Sequence, residues 1–314
     1  MELRQLRYFV AVADTQSISA AARKLHVVQS AISHQIANLE SELGAELFTR
    51  GKAGVTLTSA GQFLYRNAVT ILKHVETASQ EVKRVDKEIR GSVAVGIPNS
   101  TAAVLALHLL TAVRQELPHV QLTIVEGLSG LLAEQLASGR LDFSILFDTE
   151  PMRGFVQKPL LAEKLHFVSA DPEMIRTHGG KIGISLREVL RRPLILPPQP
   201  NGIRVLLERE ASRVGLQPNV VAGVTGVQTM RAAVHAGVAD SVMMAANAIR
   251  EHGTGELLVQ PIRAPVIERI AALCEPAQFA LPAAASCVRD IMLRLVNELV
   301  SRDQWPGARL LECS

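Results

Sequence analysis

Ser19-Ala20-Ala21-Ala22-Arg23-Lys24-Leu25-His26-Val27-Val28-Gln29-Ser30-Ala31-Ile32-Ser33-His34-Gln35-Ile36 contains two helical patterns separated by a short break at His26-Val27-Val28. In the first, Ala21, Ala22 and Leu25 share an apolar face, and Ser19 is placed to cap the helix. The second runs from Gln29 to Leu43 and stops at Gly44, with Ile32, Ile36, Leu39 and Leu43 in one stripe. Upstream, Leu3, Leu6, Val10 and Ala13 recur at helical spacing with Phe9 alongside, so three short helices open the chain.

The polar face of the third helix carries Gln29, Ser30, Ser33 and His34 close to its N-terminus. Side chains this short let a helix sink into the major groove, where Gln pairs with adenine and Ser reaches a base or a phosphate. The helix start adds free N–H groups for phosphate. Taken alone, four polar residues describe an ordinary solvated face equally well. Beyond this helix, Arg50-Gly51-Lys52-Ala53-Gly54-Val55-Thr56-Leu57 reads as a wing, two strands around a basic turn. Arg50 and Lys52 are placed for phosphate or minor-groove contact.

The whole stretch resembles the helix-turn-helix of LysR-type transcriptional regulators. The likeness rests on Ser19 to Leu25 and Gln29 to Ile36, then on Leu39-Glu40, Glu42-Leu43-Gly44, Leu47-Phe48-Thr49-Arg50 and Leu57-Thr58-Ser59-Ala60-Gly61. Leu25 to Ser30 and Gly154-Phe155 through Leu161 resemble the nitrogen assimilation control branch. Two departures stand out. Val28 replaces the family's Ser before Gln29, which gives up a side-chain cap worth ~0.5–2 kcal/mol. His34 stands where the family has Arg or Lys, which makes that phosphate contact depend on pH.

Thr58 is placed to cap a long helix reaching to about Ile89. Leu64, Ala68, Ile71, Val75, Ala78, Val82, Val85 and Ile89 alternate spacings of four and three, a 3.5-residue repeat suited to a coiled-coil seam. A lone helix cannot bury such a seam, so a second copy of the chain is the expected partner. The resemblance implies dimers and tetramers.

From residue 91 onward, strands and helices alternate. Ser92–Ile97, Gln121–Glu126, Leu141–Phe147, Leu165–Ser169, Leu194–Leu196, Val220–Val224, Val242–Ala245 and Glu268–Leu273 read as strands. Ala102–Glu116, Ser129–Ser138, Gly202–Val214, Val227–Ala236 and Ala283–Val300 read as helices. The predicted architecture is an all-α winged helix-turn-helix (1–58), a linker helix (59–90), and an α/β effector domain (91–302). The resemblance implies two lobes in that domain, as in periplasmic solute-binding proteins. Lobe I then takes 91–162 and 266–302, lobe II takes 163–265, and 303–314 form a peripheral tail.

In such a fold ligands enter between the lobes at strand C-termini, where helices begin. Asn99, Ser100, Thr101, Ser129 and Phe147 from one lobe, with Asn201 and Thr225 from the other, are the candidate effector contacts. Ser100, Thr101 and Ser129 also serve as plain helix caps. The effector is expected to be a small anion. Near residue 240 the family's second Gly and its Pro are missing, and Asp240 either reshapes the cleft wall or faces water.

Composition fits this plan. Of 314 residues 48% are hydrophobic, and no apolar run reaches the roughly 18 residues a bilayer span needs. The N-terminus lacks a signal-peptide pattern, so a cytoplasmic protein without a membrane partner is expected. Residues 1–90 hold 12 Lys and Arg against 9 Asp and Glu, which places the whole net charge of +3 at the DNA-binding end. Three cysteines, Cys274, Cys287 and Cys313, form no disulfide framework and are expected to be inert thiols rather than a redox pair. No Gly-x-Ser-x-Gly, His-x-x-x-His, Cys-x-x-Cys or phosphate loop occurs, so neither an enzyme nor a metal or cofactor site is expected. A solute carrier would have no use for the first ninety residues. The expected partners are double-stranded DNA, a second copy of the chain, a small effector and, for an activator, RNA polymerase.

Overall fold

The computed structural model describes residues 1–51, 54–82, 89–147, 151–248, 257–277 and 280–311. They divide into two compact units, Met1–Gly91 with Glu134–Leu141, and Ser92–Ala133 with Asp142–Ser314. Lys52, Val85 and Cys313 lie outside the described residues.

The first unit contains α1 (Leu3–Thr15), α2 (Ile18–Leu25), α3 (Gln29–Leu43), the hairpin β1 (Phe48–Gly51) and β2 (Gly54–Leu57), and α4 (Ser59–Val82). Leu6, Phe9, Val12, Ala21, Ile32, Ile36 and Leu39 close its core, each large side chain contributing about 1.5–3 kcal/mol on burial. Ser17, not Ser19, caps α2, accepting from the Ala20 N–H at 3.3 Å. The helix starts at Ile18, so Ser19 falls in its first turn and bonds Ser17 instead, at 3.1 Å. His26, at φ 55°, ends α2 and makes the turn into α3.

The hairpin is fixed by its neighbours. Glu40 Oε1 accepts from the Leu47 and Phe48 N–H groups at 2.8 and 3.3 Å. Gly54, at φ 118°, passes so near the α1–α2 turn that a Cβ would lie 2.7 Å from the Gln16 carbonyl oxygen. Thr58 caps α4, accepting from the Gly61 N–H at 3.0 Å. A Cβ on Gly61 would stand 2.0 Å from the Leu47 carbonyl oxygen, which only glycine avoids. Within this unit Tyr65 donates to Asp14 Oδ1 at 2.5 Å, and Arg140 Nη2 donates to the Tyr65 hydroxyl at 2.9 Å.

The seam expected on α4 is divided. Ala68 is fully buried, and Leu64 and Ile71 pack against the same core, so these three serve their own unit. The reason is that α4 begins by packing on α1, which takes up the first turns of its apolar face. Val75 and Ala78 remain at least partly accessible, the described helix ends at Val82, and Ile89 lies beyond it in irregular backbone.

After Val82 the described elements, of which Gly91 and the end of α6 from Glu134 count with the first unit and the rest form the second, are β3 (Gly91–Pro98), α5 (Asn99–Glu116), β4 (Val120–Gly127), α6 (Ser129–Ala137), β5 (Phe143–Phe147), β6 (Phe155–Ser169), α7 (Pro172–His178), β7 (Ile184–Ser185), α8 (Leu186–Arg191), β8 (Leu194–Leu196), α9 (Gly202–Arg213), β9 (Val220–Gly223), α10 (Val227–His235), β10 (Asp240–Met244), α11 (Ala245–Ala248), β11 (Leu258–Arg263), β12 (Glu268–Pro276), α12 (Ala283–Ser301) and β13 (Ala308–Leu310). The strand order is β4-β3-β5-β12-β6-β10-β8-β9, with β11 and β13 also on β6. β3 and β5 run parallel, as do β10, β8 and β9. β6 pairs with β12 as far as Lys164 and with β10 from Leu165 onward. A single strand therefore passes from one lobe to the other, and the chain returns between β11 and β12. Leu165, Phe167, Leu194, Leu207 and Val242 centre the core of the second lobe.

Besides the short elements α7, β7, α8, β11 and α11, which the sequence expectation does not include, two longer stretches differ from it. The sequence pattern predicts a strand here only at Leu165–Ser169, whereas β6 begins at Phe155; the ladder accommodates Pro159 by a register shift between Ala271 and Ala272 of β12. The tail expected to be peripheral is instead anchored. Trp305 is 1% exposed, and β13 adds to β6.

Candidate functional site

On the first unit, α3 buries Ile32, Ile36 and Leu39 and turns Gln29, Ser30 and His34 to solvent, with Ser33 half-buried beside them. Val28 caps with backbone alone, and no acidic residue stands in the first turn. The N-terminal N–H groups and three short polar side chains therefore share one open surface, the geometry that major-groove reading requires. His34 Nε2 lies 3.3 Å from Asn38 Nδ2. Arg50 stands on β1 opposite Val55, at the end of the hairpin next to the turn.

In the second unit, the lobes enclose a cavity of about 140 Å³. Six of the seven expected effector residues line it: Asn99, Ser100, Ser129, Phe147, Asn201 and Thr225. Thr101 does not. One helical step of about 100° turns it from the cavity into the core, where it is 1% exposed and its Oγ1 has no partner. Four helices, α5, α6, α9 and α10, begin at this wall. Among the described lining residues there is no carboxylate, and the charged one is Arg269. Helix N-termini carry partial positive charge.

No local sequence pattern marks Arg269 or its partner Glu163. Arg269 donates from Nε and Nη2 to Glu163 Oε2, at 2.9 and 2.6 Å, and from Nη2 to Ser100 Oγ at 2.7 Å. Its Cζ stands 3.5 Å from the Phe147 ring centroid. Trp305 Nε1 donates to Glu163 Oε1 at 2.8 Å. The partners come from β6, β12 and the C-terminal segment, a juxtaposition no local pattern announces.

Asp240 neither lines the cleft nor faces water. It is buried, 4% exposed, and accepts from Arg192 Nε at 2.6 Å, while Arg192 Nη2 reaches Asp171 Oδ2 at 2.6 Å. Cys274 and Cys287 are free thiols. Burial, reinforced by Glu275, pushes the Cys274 thiol up to about 12, far from a reactive thiolate. Among the described residues no helix is long and apolar enough to cross a membrane, and none group to hold a metal ion.

Known proteins share both halves. The description "Bacterial regulatory helix-turn-helix protein, lysR family" matches residues 3–62, and "LysR substrate binding domain" matches residues 86–296. The chain belongs to the LysR-type family of transcriptional regulators, DNA-binding proteins with an effector-binding domain, and is not an enzyme. It is 33% identical over 298 residues to the nitrogen assimilation regulatory protein nac of Klebsiella aerogenes, covering 95% of this chain and 96% of that one. The nac protein of Escherichia coli is 29% identical, with 97% and 99% covered. In fold it is similar to full-length OxyR from Pseudomonas aeruginosa (TM-score 0.77, 23% identity, 100% and 99% covered). It is similar also to full-length CbnR complexed with its target DNA (TM-score 0.62, 21% identity, 95% and 99% covered).

Proposed function

We propose that the chain binds an interrupted inverted repeat as a homodimer or homotetramer and that a small anionic effector between its lobes governs the response. Gln29, Ser30 and Ser33 read base edges, while His34, Arg50 and Lys52 hold phosphate. Half-sites lie about one helical turn, or a multiple of one, apart. Val75 and Ala78, together with Val82, Val85 and Ile89, supply the pairing surface that Leu64, Ala68 and Ile71 do not. As an activator, the protein would contact RNA polymerase.

The observation that carries this reading is the open, polar N-terminal end of α3 above a fully apolar buried face. The anionic class of effector is supported by the four helix starts and by Arg269, the charged group among the described lining residues. A ligand that prefers one arrangement of the lobes by a few kcal/mol is enough to shift the population. The nac likeness makes genes of nitrogen use the first to examine. The test is selection of genomic fragments by the purified protein at physiological salt, followed by sequencing. A dyad-symmetric motif is the expected result, and recovery of random fragments would overturn the reading.

A further inference from the structure

We propose that Arg269 decides which ligands the interlobe cavity admits, selecting a carboxylate over a neutral amide of the same shape. The inference rests on the reading of that cavity as the effector site and adds to it a residue that sets specificity. Arg269 is fixed on several sides. Glu163 holds the guanidinium from one edge, Phe147 stacks against it, and Trp305 holds Glu163 in turn. Arg269 and Glu163 are 5% and 2% exposed, so the pair sits in the protein interior while the guanidinium still forms part of the cavity wall. The two charges balance, so the pair itself adds no uncompensated charge to the empty cavity.

The consequence reaches the ligand through Ser100. A hydroxyl has one proton to donate and lone pairs to accept with. Arg269 Nη2 donates to one lone pair of Ser100 Oγ, which turns the hydroxyl proton away from the guanidinium and leaves it to be offered to the cavity. Ser129 is polarised in the same sense, because the Phe147 N–H donates to its Oγ at 3.0 Å. On the facing lobe, Asn201 Oδ1 accepts from the Ile203 N–H at 3.0 Å, which leaves the Asn201 NH2 group to donate. Three polar side chains of the cavity thus present donors. A carboxylate carries only acceptors and satisfies them, whereas a primary amide brings N–H groups of its own. Ser129 and Asn201 owe their polarity to backbone N–H groups. Ser100 owes its polarity to Arg269, so Arg269 is where the selectivity resides.

The test is titration calorimetry on the full-length protein with acid and amide pairs of matched size: acetate and acetamide, benzoate and benzamide, succinate and succinamide. At least one acid is expected to bind ten-fold or more tightly than its amide. The double variant Glu163→Leu with Arg269→Met removes the buried pair as a unit, leaves no lone charge, and has its fold checked by circular dichroism. It is expected to lose the preference for acid, while Arg269→Lys keeps part of it. Equal binding of acid and amide by the unaltered protein, or a preference that survives the double variant, overturns the role of Arg269. Gly202→Ala separates this outcome from failure of the cavity itself, since an added Cβ there meets nothing in the fold but narrows the cavity. Acid binding indifferent to Gly202→Ala, or no acid binding at millimolar concentration, overturns the cavity reading and this proposal together.

Discussion

The reading face of α3 and the interlobe cavity offer polar groups in opposite ways. α3 sets Gln29, Ser30, Ser33 and His34 on the surface from one short run of sequence, fixed by the buried stripe behind them. The cavity collects Asn99, Ser100, Ser129, Phe147, Asn201, Thr225 and Arg269 from segments far apart in the chain and fixes them by hydrogen bonds and an ion pair. Stability and recognition should therefore separate in the first unit and be coupled in the second. A residue on the α3 face can be removed without loss of fold; a residue beneath the cavity cannot.

The largest effect follows from the buried pair. Glu163→Ala leaves Arg269 uncompensated among apolar neighbours and should destabilise the second unit by about 3–5 kcal/mol. Denaturant unfolding followed by the fluorescence of Trp305, the single tryptophan, measures this directly. A loss under about 1 kcal/mol would mean that water reaches the pair and would weaken the contrast.

Next comes the close approach at the start of α4. Gly61→Ala forces a Cβ toward the Leu47 carbonyl oxygen, and overpacking of this kind costs about 1–3 kcal/mol. That loss should appear in the unfolding of the first unit and should weaken binding to operator and random DNA alike. Gln29→Ala sharpens the contrast from the other side. Its effect on stability should stay within about 0.5 kcal/mol, while discrimination at particular base pairs relaxes by ~1–3 kcal/mol. Competition binding with operators altered one pair at a time separates the two, and equal losses on every sequence would remove Gln29 from the base contacts.

The same contrast explains what could be read in the sequence. The helix-turn-helix was legible because its determinants are local: the stripe on α3, Gly44 and the Thr58 cap act within a few residues of where they stand. Six cavity residues were legible because the ends of β3 and β5 and the starts of α6, α9 and α10 mark them. Thr101 was misplaced because a cap motif does not specify which residue of a first turn faces inward. Arg269, Glu163 and Trp305 were illegible, since residues on β6, β12 and after α12 meet only once the sheet is assembled. The heptad on α4 does not reveal by itself that its first positions pack on their own unit: Ala68 is buried there, and Leu64 and Ile71 are partly buried.

The smallest effect concerns His166, which is buried at the lobe crossing and donates from Nδ1 to the Lys164 carbonyl oxygen at 2.9 Å. Burial holds its pKa below the ordinary 6.5, with the Lys164 charge acting in the same direction and the Lys164 backbone bond and Glu163 opposing. Because the folded state then binds the proton less well than the unfolded chain, the stability due to neutral His166 is complete above pH 6.5 and is lost as pH falls below it. His166→Asn keeps a donor near the Nδ1 position and removes the titration. Its unfolding midpoint should therefore fall less than that of the unaltered protein between pH 7 and pH 5, although the two start close together. Parallel curves would mean that the ring charges freely in the fold, and that the interior at the crossing is as wet as the surface of α3.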